Sequence, residues 1–532
     1  MTLPLMRARM AWVAVVTALY VGVTAAAGPG NELRRGTAGE PDSLDPQRAV
    51  SAPALIVLND LFEGLMTLDA RGKPVPGAAQ SFTLSADGRV YTFKLRADLR
   101  WSDGRLLTAD DFLYSFRRLA DPKTGSAGLA AYTDLIKNGG AVLAGALPPA
   151  ALGVSAPDAA TVRVELTDPA PYALTVLALP PFAPLPRHQI ERFGSAWTRP
   201  ENLISNGAYR LTEWTPNSHV RVARNPHFHA AEHVSIDSVV YRPIADLNAG
   251  LRLVQTGELD TLTNFPPERL DFLQREMPRT LHLAPSLGLV LYVFNHRLPK
   301  FQDPRIRRAL SISIDREALT SKIIRTGDSP AYGIVPGGLP NYFPPLAAAS
   351  GIRGAQARKR ARELLAAAGY SSSKPLEVEL LYHTSDEHKK IAVAVASMWQ
   401  AIGVRTVLRN AERQVAEVAA RNGNYEITRA AWFSPYDDPV GLLGFLRGNS
   451  PQNISAYASA AVDELLSRAQ RTADLRVRGK LLRQAEQQIV ADDAVIPLYF
   501  MVSRRLVATR VRGWRDDNLT AFYGARYLSL LK

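Results

Sequence analysis

The chain has 532 residues, and none of them is cysteine. This absence excludes disulfide bonds, thiolate nucleophiles and zinc sites with cysteine ligands. It also excludes a lipoprotein anchor, because such an anchor is attached to a cysteine at the cleavage point. The fold must therefore be stabilised by packing without covalent cross-links.

Long hydrophobic runs are missing beyond the N-terminus. There, Arg7 and Arg9 precede about fourteen mostly apolar residues, Met10 to Val23, and Ala25-Ala26-Ala27 follows as an A-x-A cleavage site. This pattern is typical of a signal peptide, so we assign residues 1–27 to a signal that directs export. The run is too short for an ordinary spanning helix, and we expect the mature protein to be soluble.

Acidic residues are in the minority, since 50 aspartates and glutamates face 63 lysines and arginines, and the formal net charge is +13. Such a charge favours acidic surfaces. The basic residues are scattered, however, and form neither a long block nor the interleaved basic and aromatic pattern of a nucleic-acid-binding protein. We therefore expect no nucleic-acid partner.

Signatures of catalysis are also missing. The sequence has no G-x-S-x-G, H-E-x-x-H, P-loop or G-x-G-x-x-G motif. Ser371 and Lys374 match S-x-x-K, but they lie in a connector rather than at a helix start in a cleft. His227, His229 and His233 have the type and spacing of metal ligands, yet they are more typical of surface or packing histidines. We predict no enzyme activity, no metal and no cofactor.

Strand and helix patterns alternate along the rest of the chain. With 46% hydrophobic and 21% charged residues the composition is that of a globular protein, and the length indicates about three domains. Alternation predicts strands at Glu32–Thr37 and Asp158–Leu166, whereas helical periodicity covers Ala54–Leu65, Arg353–Ala368 and Leu465–Asp492. This mixture, without internal repeats, predicts α/β domains.

The stretch Ala97–Arg118, ADLRWSDGRLLTADDFLYSFRR, carries the densest local signals. It follows an alternating strand pattern that should end near Trp101. Ser102-Asp103-Gly104 is typical of a tight turn. A capping pattern at Thr108 and Asp111 then predicts a helix, whose apolar face packs in the core together with Trp101.

This stretch resembles the signature of the family 5 solute-binding proteins of bacterial ABC importers, approximately A-x4-WSDG-x-P-x-TA-x-D-x3-S. Further segments that resemble family landmarks are Asn206–Leu211, Arg224–Phe228, Gly257–Asp260, Asp303–Leu310 and Leu381–Lys390. The last of these, LYHTSDEHKK, is similar to the equivalent segment of oligopeptide-binding proteins. The resemblance covers nearly the whole mature chain and is strongest to the periplasmic oligopeptide-binding proteins.

The resemblance implies an α/β fold, that of a two-lobed periplasmic binding protein (type II, cluster C-like) with an extra inserted domain. Domain I would comprise residues 28–62, 187–287 and 504–532. The inserted domain II would comprise residues 63–186, and domain III, the opposing lobe, residues 288–503. In this family the two lobes close over a ligand by a hinge motion.

The resemblance also implies ligand-binding residues. In oligopeptide receptors an extended peptide lies between the lobes, and basic residues hold its terminal carboxylate. Three of these residues match Lys322, His388 and Arg429. A further family arginine aligns with Ala420, and the adjacent Arg421 is available to replace it. These positions imply an anionic end on the ligand.

The amino end departs from the family. Residues 432–439, WFSPYDDP, match the motif W-x-x-D-Y-N-E-P, so Pro435 replaces the aspartate that holds the peptide α-ammonium. Val50 likewise replaces a glutamate of an early ligand-contacting strand. An ammonium left buried and unpaired costs about 3–5 kcal/mol, unless one of the two aspartates after the proline replaces the lost carboxylate. The ligand-binding candidates in this motif are Trp432, Tyr436, Asp437 and Asp438.

Two more substitutions come as a pair. Gly288 and Phe433 occupy the positions at which some relatives carry the two halves of a disulfide. Because both half-cystines are replaced together, the change is structural and says nothing about the ligand.

The sequence leaves three functions open. The first is a periplasmic receptor that captures oligopeptides or peptide-like ligands, including murein peptides, and delivers them to an inner-membrane ABC permease. The second is a receptor of the same fold for a non-peptide or amino-blocked ligand, such as an opine or an oligosaccharide, which Pro435 favours. The third, an exported hydrolase, rests on the S-x-x-K match alone. We expect a monomer that is free in the periplasm.

Overall fold

The computed structural model describes residues 31–126, 129–345, 351–434, 436–520 and 522–531. The predicted signal peptide and Pro435 lie outside the described residues. The strands are β1 Glu32–Thr37, β2 Met66–Leu68, β3 Pro74–Pro76, β4 Ala79–Leu84, β5 Val90–Leu95, β6 Val154–Asp158, β7 Thr161–Glu165, β8 Tyr209–Thr215, β9 His219–Arg224, β10 Ser238–Pro243, β11 Thr261–Thr263, β12 Leu281–Phe294, β13 Ser329–Pro330, β14 Leu376–His383, β15 Val404–Ala411, β16 Ile427–Phe433, β17 Val495–Val507, β18 Val511–Arg512 and β19 Ser529–Leu530.

The α-helices are α1 Ala52–Leu61, α2 Ala109–Ala120, α3 Gly139–Leu143, α4 Ala173–Val176, α5 Arg187–Phe193, α6 Leu247–Gln255, α7 Leu270–Glu276, α8 Pro299–Gln302, α9 Pro304–Ile312, α10 Arg316–Ala318, α11 Gly354–Ala367, α12 Asp386–Gln400, α13 Arg413–Arg421, α14 Val440–Leu443, α15 Ala460–Gln470 and α16 Leu475–Ala491. A π-helix, Leu319–Ile324, follows α10. Within the described ranges, no helix is both long and apolar enough to cross a membrane.

The largest sheet is mixed and has eleven strands in the order β15-β14-β16-β12-β17-β11-β1-β10-β9-β8, with β13 paired to β17. β12 and β17 run antiparallel along nearly their whole length, from Leu281 opposite Leu506 to Val293 opposite Val495. These two strands join the strands on either side of them into one sheet. A separate antiparallel sheet, β4-β5-β7-β6, lies within the segment predicted as the inserted domain.

Buried apolar side chains form separate cores that follow the sheet. One core gathers residues from 33–241 and 507–528. Two others lie on opposite faces of β12, because alternate residues of this strand, such as Leu289 and Val290, belong to different cores. Of the described residues in 288–503, only Tyr436 packs against the first core. The division agrees with a separate domain III, although the domain boundaries themselves remain predictions.

Several predicted elements are confirmed. β1 covers the predicted strand Glu32–Thr37, and β5 precedes the turn in which Gly104 has a φ of +88°. Trp101 is buried in the core with 1% of its surface exposed. At the start of α2, the Thr108 backbone N–H donates to the Asp111 carboxylate at 2.8 Å, and a capping box is present.

Other elements differ from prediction. The helical periodicity of Leu465–Asp492 belongs to two helices, because α15 ends at Gln470 and the Asp474 carboxylate caps a new helix by accepting from the N–H groups of Arg476 and Val477. The predicted strand Asp158–Leu166 is shorter, since Asp158 ends β6 and the chain turns before β7.

Gly288 and Phe433 lie directly opposite each other in the β12–β16 ladder. A Cβ atom on Gly288 would lie 2.7 Å from a ring carbon of Phe433. The ring of Phe433 therefore fills the space that two side chains would otherwise share, and glycine at position 288 leaves room for it.

Candidate functional site

Arg429 is a half-buried cation without a carboxylate partner. β16 holds it between β14 and β12, opposite Tyr292. Its Nε atom is buried and has no hydrogen-bond partner, and none of the acidic residues that the structure describes forms a salt bridge with it. A desolvated guanidinium with open donors favours an anion, above all a carboxylate or phosphate that can accept two parallel hydrogen bonds.

Two histidines lie next to this guanidinium. β14 ends at His383, and α12 begins three residues later, which places His388 in its first turn. The two rings are perpendicular, with centroids 4.0 Å apart, and His388 Nδ1 lies 3.3 Å from the backbone oxygen of His383. Burial, together with the charge of Arg429, lowers the pKa of His388 to about 4. Both rings are thus kept neutral near pH 7, and an arriving anion would favour their protonation.

Lys322 lies on the π-helix, which packs against α12. Its side chain is exposed and makes no hydrogen bond or ion pair with any residue of the described ranges. Lys322, His388 and Arg429 therefore sit on neighbouring elements, with Lys322 on the solvent side. A π-helical turn is rare and is frequent at functional sites.

Arg421 is not brought into this group. It is exposed at the C-terminal end of α13, and the preceding Ala420 packs in a small core with Leu381. The N-terminal half of the same helix faces the site instead, since Arg413 and Glu417 act electrostatically on His383. The geometry thus gives no support to the prediction that Arg421 replaces the family arginine.

Trp432 and Tyr436 serve packing contacts. Trp432 is three residues from Arg429 on one strand, so the two side chains point to opposite faces of the sheet. The indole N–H of Trp432 donates to the Gly441 oxygen at 2.8 Å. Tyr436 stacks on Tyr172, with centroids 4.9 Å apart and planes 10° from parallel.

Asp437 and Asp438 both have protein cations as partners. Lys73 donates to Asp437 at 2.6 Å. Arg478 donates two hydrogen bonds to Asp438, at 2.6 and 2.9 Å, and this pair is buried on both sides. Both carboxylates thus have a protein cation as partner, and replacement of the acid lost at Pro435 would require one of these ion pairs to break.

A cavity of about 250 Å³ lies beside these two ion pairs. Its walls come from two distant parts of the chain, with Lys73, Tyr172 and Thr175 on one side and Asp437 and Arg478 on the other. Sequence reasoning missed Lys73, Tyr172 and Thr175 because no motif marks them. The sequence offered one signal for this site: Arg478 lies on the buried face of α16, where a charge needs an acidic partner.

The remaining sequence candidates lie elsewhere. Ser371 and Lys374 are exposed in a loop. The histidines near position 230 follow β9, and His229 Nε2 lies 2.7 Å from the carboxylate of the buried Glu63. In the part of the chain that the structure describes, no group of three or more acidic or histidine side chains converges as a metal site.

Known proteins resemble this chain over nearly its whole length. The family model "Bacterial extracellular solute-binding proteins, family 5 Middle" matches residues 73–453. The periplasmic oligopeptide-binding protein OppA of Salmonella typhimurium is 37% identical over 494 residues, which cover 91% of this chain and 89% of the relative. A probable deoxycholate-binding periplasmic protein, YgiS of Escherichia coli, is 34% identical, with 92% of each chain covered.

The solved structure of the murein tripeptide-binding protein MppA of Escherichia coli superposes with a TM-score of 0.84 at 34% identity and covers 95% of this chain and 99% of that one. The predicted α/β fold of a two-lobed periplasmic binding protein is confirmed by this likeness. The matched family model and the relatives agree with each other and with the motifs that begin at Ala97. The chain is a member of the bacterial extracellular solute-binding proteins of family 5.

Proposed function

We propose that the protein is the periplasmic substrate-binding component of an ABC importer and that it captures oligopeptides or peptide-like ligands, including murein peptides, by an anionic end. The observation that carries this proposal is the guanidinium of Arg429, which lies beside the neutral His388 and has a buried Nε without a hydrogen-bond partner and no carboxylate partner in the described chain. Lys322, on the adjoining π-helix, supplies a second cation for a ligand that extends further. The names of the relatives, which bind oligopeptides and a murein tripeptide, support this ligand class.

The remaining features of the proposal follow from the same family. The signal at residues 1–27 directs export and is removed, and the mature monomer moves freely in the periplasm. Residues 288–503 form the lobe that carries Arg429 and close against the rest of the chain. The permease then recognises the closed form, and the protein performs no catalysis.

A second candidate is a ligand without a free amino group. It is favoured by the ion pairs of Asp437 with Lys73 and of Asp438 with Arg478, which leave no uncommitted carboxylate among the described residues 436–439. A free α-ammonium brought to this loop would compete with cations that the protein already supplies. The relative named as a probable deoxycholate-binding protein is consistent with non-peptide ligands in this family.

Native mass spectrometry of gently purified protein, followed by identification of the released ligand, tests both candidates. The same tripeptide should then be titrated with a free and with an acetylated amino end, and also with an amidated carboxyl end. Loss of binding on amidation supports the anionic-end proposal. Equal or tighter binding of the acetylated form supports the second candidate. Binding of a sugar or a metal with no binding of any peptide would refute the peptide proposal.

Pro435→Asp is a direct test of the amino end. Restoring the family carboxylate should tighten the binding of free-amino peptides and leave acetylated peptides unchanged. If free-amino peptides bind the variant no better than the parent, the proposal that Pro435 removes the anchor for the α-ammonium is wrong.

A further inference from the structure

A second group of donors without acceptors lies on β17, away from Arg429. Ser503 and Arg505 are two residues apart on this strand, so their side chains point to the same face of the sheet. The hydroxyl groups of Ser503 and Tyr523 and the indole N–H of Trp514 are buried. The two hydroxyls lie beside each other and interact, but none of the three groups makes a hydrogen bond of good geometry with a described residue. Buried polar groups of native proteins almost always have hydrogen-bond partners. Three such groups together therefore indicate a hydrogen-bond partner that the protein itself does not supply.

The side chains of Ser503, Arg505, Trp514 and Tyr523 form one cluster together with His282, and Tyr523 lies at its centre. The Tyr523 ring stacks on Trp514, with centroids 4.0 Å apart and planes 16° from parallel. Burial raises the pKa of the Tyr523 hydroxyl, and the nearby Arg505 and Ser503 oppose that shift. His282, the register partner of Arg505 in the neighbouring strand, places its ring 6.1 Å from that of Trp514.

Arg505 is the cation of this cluster, and it lacks a carboxylate partner in the described chain. Its side chain makes one hydrogen bond, from Nη1 to the backbone oxygen of Arg504 at 3.0 Å. Burial, reinforced by the like charges of Arg35 and Arg504, lowers the pKa of Arg505 to about 10. An anion at this position would relieve both the desolvation and the repulsion between the guanidinium groups.

The nearby acids do not fill this role. The Asp516 carboxylate lies 2.9 Å from His282 Nδ1, and Asp517 accepts from Arg515 at 2.7 Å. The Arg35 guanidinium lies 3.7 Å from Asp60 and donates to the Tyr523 backbone oxygen. Each of these charges is committed, and the four open donors remain without an acceptor.

We propose that Arg505, Ser503, Tyr523 and Trp514 form a second anion-binding site, which takes an oxyanion, either a carboxylate or a phosphate. A planar guanidinium edge, two hydroxyls and an indole N–H match the several acceptor lone pairs of an oxyanion. A single anion would satisfy three buried donors and one buried charge. The site is independent of the proposed peptide-binding function, because it shares no residue with the group around Arg429.

The indole N–H of Trp514 makes the site measurable. Mature protein labelled with ¹⁵N would be titrated with inorganic phosphate, and in a parallel series with acetate, at constant ionic strength in chloride. The Trp514 indole resonance is assigned by its loss in Trp514→Phe. We expect a saturable shift of this resonance, and Arg505→Gln should raise the apparent Kd about tenfold or more, since a hydrogen bond to a charged group contributes about 1.5–3 kcal/mol.

The controls separate this site from the peptide site. Arg429→Gln should leave the anion titration unchanged while it weakens peptide binding, so failure of one proposal is distinguishable from failure of the other. A response to phosphate alone identifies a phosphate site, and a response to acetate alone identifies a site for a ligand carboxylate. The proposal is overturned if neither anion gives a saturable shift, or if Arg505→Gln responds like the parent. Should Arg505→Gln fail to fold, Ser503→Ala serves instead, with a smaller expected weakening.

Discussion

Arg429 and His388 are the two residues on which the proposed binding of an anionic ligand depends. The guanidinium lies where burial is costly and where no described carboxylate balances it, while the adjacent imidazole is kept neutral. A ligand carboxylate would supply both the counter-charge and the acceptor. At this scale the sequence motifs point to these residues, and their role in binding stays a prediction. The missing carboxylate partner of Arg429 could be seen only in three dimensions.

Arg429→Gln removes the charge and keeps a shorter side chain with a hydrogen-bond donor. We expect the affinity for ligands with a free carboxylate to fall about ten- to a hundredfold, because a charge-assisted hydrogen bond contributes about 1.5–3 kcal/mol. Calorimetric titration measures the change. The matched control is Arg421→Gln, an exposed arginine whose loss should leave the affinity unchanged. Equal effects of the two substitutions would contradict the site.

His388 makes binding depend on pH. In the free protein its pKa is about 4, and an anion at Arg429 raises it, so binding takes up a proton in the window between the two values. Affinity for an anionic ligand should therefore increase as the pH falls from 7.5 towards 5, and each unit of bound-state shift is a factor of about ten. His388→Gln should flatten this profile, whereas an unchanged slope would exclude His388 as the group that titrates.

The stability of the ligand-free protein should show the opposite trend. Because the folded pKa of His388 lies below the unfolded value of about 6.5, the unfolded chain binds more protons between these values. The stability contribution is fully present above pH 6.5 and is lost as the pH falls towards 4. Urea unfolding at several pH values, with His388→Gln as the reference, measures this contribution. The prediction is refuted if the free energy of unfolding of the parent protein depends on pH no more strongly than that of the variant.

Secondary elements were predictable where their signals are local. The turn at Gly104 and the cap of α2 each depend on a few adjacent residues, and both are present as predicted. The break between α15 and α16 was missed because periodicity continues across it and the Asp474 cap resembles an ordinary helical surface charge. The pairing of Asp437 with Lys73 could not be predicted, because it joins residues 364 positions apart without any motif.

α16 carries a buried charge whose partner is on another element. Arg478→Met would leave the Asp438 carboxylate buried and unpaired, and we expect a loss of about 3–5 kcal/mol in the free energy of unfolding. Combining it with Asp438→Asn should recover much of this loss, as a double-mutant cycle by urea denaturation would show. Additive losses would mean that the two side chains do not interact.

At Gly479, α16 packs so closely against the backbone of Asn341 that there is no space for a side chain. A Cβ on Gly479 would lie 2.2 Å from the Asn341 backbone oxygen. Gly479→Ala should therefore destabilise the protein, although alanine favours helices by about 1 kcal/mol over glycine. Gly444→Ala, in the 3-10 turn after α14, is the control for available space, since a Cβ there meets its nearest atom at 4.0 Å. Thermal unfolding of the two variants would separate packing from propensity.

For the molecule as a whole, the 436–439 loop connects parts of the chain that otherwise have separate cores. Tyr436 packs on the core built by residues 33–241 and 507–528, although it follows a strand of the other group. The adjacent ion pair joins a partly exposed Lys73 to a mostly buried Asp437. We predict that these contacts bias the protein towards the closed arrangement of its lobes.

Lys73→Met should reduce this bias. A partly exposed ion pair contributes about 0.2–1 kcal/mol, so the closed population should fall by a factor of up to about five. Fluorescence energy transfer between labels on the exposed residues Ser81 and Gln452 measures this population. Labels at residues 73 and 437 are avoided because the substitution itself would disturb them. Transfer efficiency that is unchanged in the ligand-free variant would show that the ion pair does not hold the two parts together.

The long pairing of β12 with β17 has a consequence for biogenesis. A chain that crosses a membrane from its N-terminus delivers β12 about two hundred residues before β17, and such distant strands pair slowly. During that interval the edge of β12 that β17 will cover offers free backbone groups to any other extended chain. We therefore predict that export of this protein is most vulnerable to aggregation late in its passage, and that a version truncated before residue 495 keeps this edge of β12 open.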